Sequence, residues 1–174
     1  TNMNGLERRR KIASILNSKT PITGTELARR LGVSRQIIVQ DVALMRAEDK
    51  NILSTNKGYL RYDSDSLAGS FRRVFYVQHT TEQVLEELTT IVELGGRVLD
   101  VSVEHEIYGQ IRADLLMHTV QDAVDFCSRL QTVSGAPLKA LTNDRHYHTV
   151  VAASERLLDI IESELDRKGF LIRS

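Results

Sequence analysis

The stretch that most constrains this chain is residues 20–46, TPITGTELARRLGVSRQIIVQDVALMR. Its apolar spacing predicts a short helix over residues 24–31, a break at Gly32-Val33, and a second helix beginning at Ser34. Leu27, Ala28 and Leu31 share one face of the first helix. Ile38, Val42 and Met45 share one face of the second, at i, i+4 and i+7. The Ser34 hydroxyl can accept from the free backbone N–H groups of the first turn that follows it. Two short helices locked across a glycine turn form a helix-turn-helix, a motif that pushes its second helix into a DNA major groove. The outward residues of that helix are Arg35, Gln36, Val39 and Gln40. Arg suits guanine, Gln suits adenine, and Val can touch a thymine methyl. Thr23 and Ser34, at the two helix starts, complete the candidate DNA face. The alternative reading of the same pattern is a plain helical hairpin with a solvated face.

Charge is divided unevenly along a chain of 174 residues whose total is zero. Residues 1–61 hold 12 Lys and Arg against 5 Asp and Glu, whereas residues 62–174 hold 11 against 18. A basic head on an acidic body fits a DNA reader joined to a second domain. The run Arg8, Arg9, Arg10 and Lys11 could lie along phosphates, which position a protein without selecting sequence. Residues 52–55 and 59–62 read as two strands around the turn Asn56-Lys57-Gly58. That hairpin would be a wing, with Lys57 at its tip near a phosphate or the minor groove. The expected organisation is a winged helix-turn-helix over residues 1–62, a small and polar linker over 63–70, and an α+β regulatory domain over 71–174.

Beyond the linker, strands alternate with helices, as in a sheet with helices packed on it. Strands are expected over residues 74–77, 98–103, 110–115 and 146–152, with a short final one over 170–172. Helices are expected from Thr80, with a capping box to Gln83, over residues 120–130, and from Ser154 to the stop at Gly169. The lone Cys127 excludes an intramolecular disulfide. It shares a helix face with Val120, Ala123, Val124 and Leu130 and reads as a small buried hydrophobe. No apolar run reaches membrane-span length, and the early charges interrupt any secretion-signal core. A cytoplasmic protein without a membrane partner is the expectation.

All five histidines follow the linker. His146 and His148, at i and i+2 on a strand, project from one face and can converge on one point. His79 ends the first strand of the domain, and Glu87 lies along the helix that follows. Neutral imidazoles with a carboxylate suit a borderline transition ion such as Zn, Ni, Co or Fe(II). Two ordinary histidines on a solvent-facing strand are the alternative. His118 reads as an exposed loop residue. His105 is either a structural histidine at a strand end or part of a small-molecule pocket.

Five ordered blocks carry a family resemblance: SRQIIVQDVALMR, VQHTTEQVLEEL, VLDVSVEHEIYGQIRADL, HYHTV and KGFLI. With them the chain resembles, over essentially its whole length, the 3H-domain transcriptional regulators. The resemblance implies a repressor of NAD biosynthesis and niacin uptake genes that responds to nicotinic acid. It also implies a divalent metal, Ni, Zn or Fe, with His79, Glu87, His146 and His148 at the matching ligand positions. Nicotinate is a flat aromatic anion whose carboxylate seeks a cation or backbone N–H groups. His105, Tyr108 and Arg112 are the candidate effector contacts, and Arg97 and Arg145 are further candidate carboxylate partners. Operator half-sites are usually palindromic, so a homodimer on double-stranded DNA is expected. Two other functions compete: a repressor for which the metal itself is the signal, and a small metal-dependent enzyme fused to a helix-turn-helix. The chain has neither a G-x-G-x-x-G stretch nor a P-loop to support a nucleotide-using enzyme.

Overall fold

The computed structural model describes residues 3–48, 51–61, 70–132 and 144–173. The chain divides into two compact units, Thr1–Ala68 and Gly69–Ser174. The expected linker, apart from Ser70, lies outside the described residues, as does Tyr62 at the end of the expected wing.

The first unit contains α1 (Gly5–Ile15), α2 (Gly24–Leu31), α3 (Arg35–Glu48), β1 (Ile52–Thr55) and β2 (Gly58–Arg61). Each helix start is satisfied by a side chain. Asn4 accepts from the Glu7 N–H while the Glu7 carboxylate accepts from the Asn4 N–H, a reciprocal capping box. Thr23 accepts from the Glu26 N–H at α2, and Ser34 from the Ile37 N–H at α3. Gly32 ends α2 with φ 67°, a left-handed conformation that a side chain would penalise. Ile12, Leu27 and Ile38 are fully buried in the shared core of the three helices. β1 and β2 pair antiparallel as the wing. The wing is tied to the start of α2 by a two-way bridge, in which the Ile22 and Tyr59 N–H groups donate to each other's carbonyls at 3.0 and 2.7 Å. That approach requires glycine at position 58, where φ is 127° and a Cβ would lie 2.5 Å from the Ile22 carbonyl.

The second unit contains β3 (Phe71–Gln78), α4 (Val84–Glu93), β4 (Arg97–His105), β5 (Gly109–Met117), α5 (Val120–Thr132), β6 (Arg145–Ala152) and α6 (Glu155–Arg167). Its four strands run in the order β3-β6-β4-β5, with every neighbouring pair antiparallel. The last strand in the chain therefore inserts between two that precede it. Phe75, Val77, Val98 and Val150 pack against Leu88 and Ile91 of α4, Ala123 of α5, and Leu158, Ile161 and Leu165 of α6. Strand alternation puts His146 and His148 on this helix-covered face and Tyr147 on the opposite one. No helix among the described residues is long and apolar enough to cross a membrane.

Three local expectations change. The Thr80–Gln83 capping box forms, but it opens a single 3₁₀ turn ahead of α4. Residues 170–172 make only a bridge to the edge of β3. Gln78 N–H donates to the Phe170 carbonyl and Ile172 N–H to the Tyr76 carbonyl, both at 2.8 Å. The buried stripe of α5 runs through Ala123, Phe126, Cys127 and Leu130, whereas Val120 and Val124 are exposed. Val120 is the first residue of the helix and Val124 lies one position beyond the stripe. Cys127 packs against the core as expected, and burial raises its thiol pKa, which suits an inert packing role.

Candidate metal centre and DNA interface

Three elements deliver the inner cluster. His79 follows β3, Glu87 sits in the first turn of α4, and His146 and His148 lie on β6. All four are buried, and Glu87 is 1% exposed. His79 Nε2 is 2.6 Å from Glu87 Oε2, His146 Nε2 is 3.2 Å from the same oxygen, and His148 Nε2 is 2.8 Å from Glu87 Oε1. The outer ring nitrogens are fixed as well. His79 Nδ1–H donates to the Thr80 carbonyl at 2.8 Å, His146 Nδ1–H to Asp144 at 2.9 Å, and His148 Nδ1–H to Asp100 at 2.8 Å. A backbone carbonyl on Nδ1 sets the tautomer, leaving Nε2 as the inward donor atom, which is the support that metal-ligating imidazoles receive.

A buried carboxylate demands positive charge nearby. Burial raises the Glu87 pKa, but the three imidazoles packed against the carboxylate, His148 foremost, outweigh it and hold the carboxyl well below its usual range. Burial lowers the His148 pKa, but Glu87 outweighs it and leaves that imidazole raised. For His146, burial wins and the pKa falls. His148 is thus the imidazole whose proton best balances the Glu87 carboxylate. A divalent cation can replace that proton and meet the nitrogen lone pairs together. His79, Glu87 and His146 each offer a ligand atom within 4.8 Å of the others, a cluster able to coordinate a divalent metal ion. His148 contacts the second oxygen of the same carboxylate.

Of the candidate DNA contacts, Arg35, Gln36 and Gln40 are exposed on α3, Val39 is half-buried, and Lys57 is exposed on the β1–β2 hairpin. Thr23 and Ser34 spend their hydroxyls on helix capping. One feature of α3 escapes a reading by apolar period. Asp41 occupies the inward stripe beside Ile38, Val42 and Met45 and is 2% exposed. It is clamped by Arg8 and by Arg9 Nη1, the latter at 3.1 Å. Two of the four cations expected to meet phosphates therefore turn inward to hold the recognition helix. Arg10 and Lys11 stay exposed. The signal was present as an acidic residue at a core position of a helix otherwise read as apolar on that side.

The effector candidates separate. His105 closes the β4–β5 hairpin: its Nδ1 accepts from the Ile107 and Tyr108 N–H groups at 3.1 and 3.3 Å. Tyr108 is exposed, with its ring 5.0 Å from that of His105. Arg112 is committed to Asp100 at 3.2 Å and Asp114 at 2.9 Å. Arg145 and His105 line one cavity, together with Tyr76 and Tyr147, which the sequence did not single out. His118 is exposed, as expected.

Comparison with known proteins gives the same division. Residues 72–174 match the 3H domain, and residues 8–60 match a helix-turn-helix domain. The chain belongs to the 3H-domain transcription repressors. It is 39% identical to the "Probable transcription repressor NiaR" of Thermotoga maritima, across 95% of this chain and 94% of that protein. It is 36% identical to the "Transcription repressor NadR" of Bacillus subtilis, across 90% of this chain and 87% of the relative. Membership in the 3H-domain repressors assigns a regulatory role, not an enzymatic one, to the domain that holds the cluster.

Proposed function

We propose that the protein represses genes of NAD biosynthesis and niacin uptake, with nicotinate as co-repressor and two copies acting together on operator DNA. The observation that carries this reading is near full-length likeness to transcription repressors, 39% identity over 95% of the chain in one case. Specific contacts would come from Arg35, Gln36, Val39 and Gln40, with Lys57, Thr23 and Ser34 near the backbone. His79, Glu87, His146 and His148 would hold a divalent ion, and the donor set suits Ni, Zn or Fe. Such an ion would neutralise Glu87 and tie β3, α4 and β6 to one point. The effector site lies at the end of the sheet that carries His105, with Tyr108 beside it. Arg112 could serve there only by leaving its two aspartates.

Nicotinate must bind the DNA-competent arrangement better than the free one, or it shifts nothing. Fluorescence anisotropy of operator DNA, with and without nicotinate, tests this on metal-loaded protein. Nicotinate should tighten DNA binding, and operator DNA should tighten nicotinate binding by the same factor. The buried cluster favours one second reading, a repressor for which the metal is the signal. Metal-dependent DNA binding that is indifferent to nicotinate would establish that reading instead.

A further inference from the structure

We infer that Asp100 is a positioning residue for the metal centre: its carbonyl and its carboxylate together aim His148 at the ion. This deepens the metal reading and rests on it. The motivating feature is a double irregularity in the sheet. The register of β4 on β6 shifts between Val98 and Ser102, and that of β4 on β5 shifts between Val98 and Asp100. Asp100 therefore sits where β4 leaves regular pairing with both neighbours. On β5 nearby, Leu116 has φ 51°, a left-handed backbone that leucine rarely adopts. Such bulges recur beside functional sites, where they re-aim a side chain.

Asp100 holds two consecutive residues of β6. Its backbone carbonyl accepts from His148 Nδ1–H at 2.8 Å, and its Oδ1 accepts from the Thr149 N–H at 3.0 Å. In a regular ladder a strand N–H aimed at its neighbour donates to a backbone carbonyl. Here a carboxylate receives that bond. The two contacts fix both the imidazole and the peptide unit that carries it. On the far side of the ring, His148 Nε2 lies 2.8 Å from Glu87 Oε1. The Asp100 carboxylate is itself held by Arg112, whose Nε lies 3.2 Å from the second oxygen and whose Nη2 reaches Asp114 at 2.9 Å.

A purely structural role accounts poorly for this arrangement. Asp100 and Asp114 are cross-strand partners, both buried, and they share a guanidinium that is 52% exposed. Burying carboxylates is costly, and apolar strand residues would stabilise a sheet at least as well. What an apolar side chain cannot supply is an acceptor for the Thr149 N–H where the ladder is broken. His148 also differs from the other two histidines of the cluster. The carbonyls that hold His79 and His146 belong to Thr80 and Asp144, within two residues of each ring in the chain. The one that holds His148 comes from a different strand. Its aim depends on where β4 is set, and the Asp100 carboxylate fixes that setting.

The test uses the full chain and titrates Zn(II), and separately Ni(II), in competition with a chromophoric chelator. Asp100→Ala and Asp100→Leu should each bind both ions about 10–100-fold more weakly, the range for partners that orient ligating histidines. Asp100→Asn keeps an acceptor for the Thr149 N–H and should recover most of that loss. The His148 Nδ1 proton, followed by NMR in the Zn(II)-loaded protein, should exchange slowly in wild type and faster in Asp100→Ala. Arg73→Gln breaks the ion pairs to Glu155, Asp159 and Glu162 of α6, so it controls for lost stability alone and should leave metal affinity unchanged. Asp100→Leu fills the vacated space with an apolar chain and keeps Arg112 paired to Asp114, so it decides the matter if Asp100→Ala does not fold. Wild-type affinity in either folded variant would overturn the inference. So would an equal loss in Arg73→Gln, or a loss in Asp100→Asn as large as in Asp100→Ala, which would assign the effect to charge. Failure of the wild-type protein to bind either ion would remove the metal reading itself, and this inference with it.

Discussion

At the residue scale, Asp41 matters beyond its size. Its carboxylate is the only acidic group on the inward stripe of α3, and two arginines of α1 close on it. Asp41→Ala should destabilise the first unit by about 1.5–3 kcal/mol, the range for hydrogen bonds to a charged group. Burial raises the Asp41 pKa, but Arg8 and Arg9 outweigh it and hold it below the ordinary carboxylate value. The sign follows from that depression. The contribution is complete above the unfolded carboxyl pKa, about 3.9, and is lost as pH falls through the lower folded value. Acid unfolding followed by circular dichroism should therefore show a shallower limb in Asp41→Asn than in wild type. Arg8→Ala should likewise read as lost stability. Lys11→Ala, at an exposed position, should lower the salt slope of DNA binding by about one. Arg35→Ala should cost about 1–3 kcal/mol on the operator and little on random DNA. Equal losses on both would remove its specificity role.

At the scale of elements, the wing is held by a backbone contact that tolerates no side chain. Gly58→Ala would force either the Ile22 carbonyl or the hairpin to move, and its φ of 127° is strained for any L side chain. It should lose about 1–3 kcal/mol of stability by thermal melting and weaken DNA binding even though the recognition helix is untouched. The helices of this unit were legible because capping residues and apolar period agree: Thr23, Gly32 and Ser34 fall at the observed boundaries. The clamp on α3 was not, because a period of apolar residues is silent about an acid among them. In the second unit, the strands were legible by β-branched runs and glycine punctuation, but their order was not. Insertion of β6 between β3 and β4 depends on which hydrophobic faces cover one another, and no local pattern encodes that.

At the scale of the whole molecule, the convergence of His79, Glu87, His146 and His148 shows what a sequence can and cannot reveal. The pairing of His146 with His148 follows from strand alternation alone. His79 and Glu87 join them only because β3 pairs with β6 and α4 packs over both, so their inclusion needed family resemblance or coordinates. Glu87→Gln should weaken metal binding by at least about ten-fold, measured by metal content after dialysis against a chelator. Retained full occupancy would remove the carboxylate from the ligand set. Tyr76 and Tyr147 went unnoticed because aromatic residues on a strand carry no signal of what lies across from them until the register is known.

The alternation of β6 has a consequence for how this domain can change over time. Substitutions can change the residues on one face while leaving the other intact, so the cluster around Glu87 and the face that carries Tyr147 are separable by point mutation. Gain or loss of a single residue between Arg145 and Ala152 is different. A slip of one position exchanges the faces, turning His146 and His148 away from Glu87 and Arg145 and Tyr147 into the helices. Length variation among descendants of this chain should therefore accumulate outside that strand, and its eight residues should behave as a fixed frame.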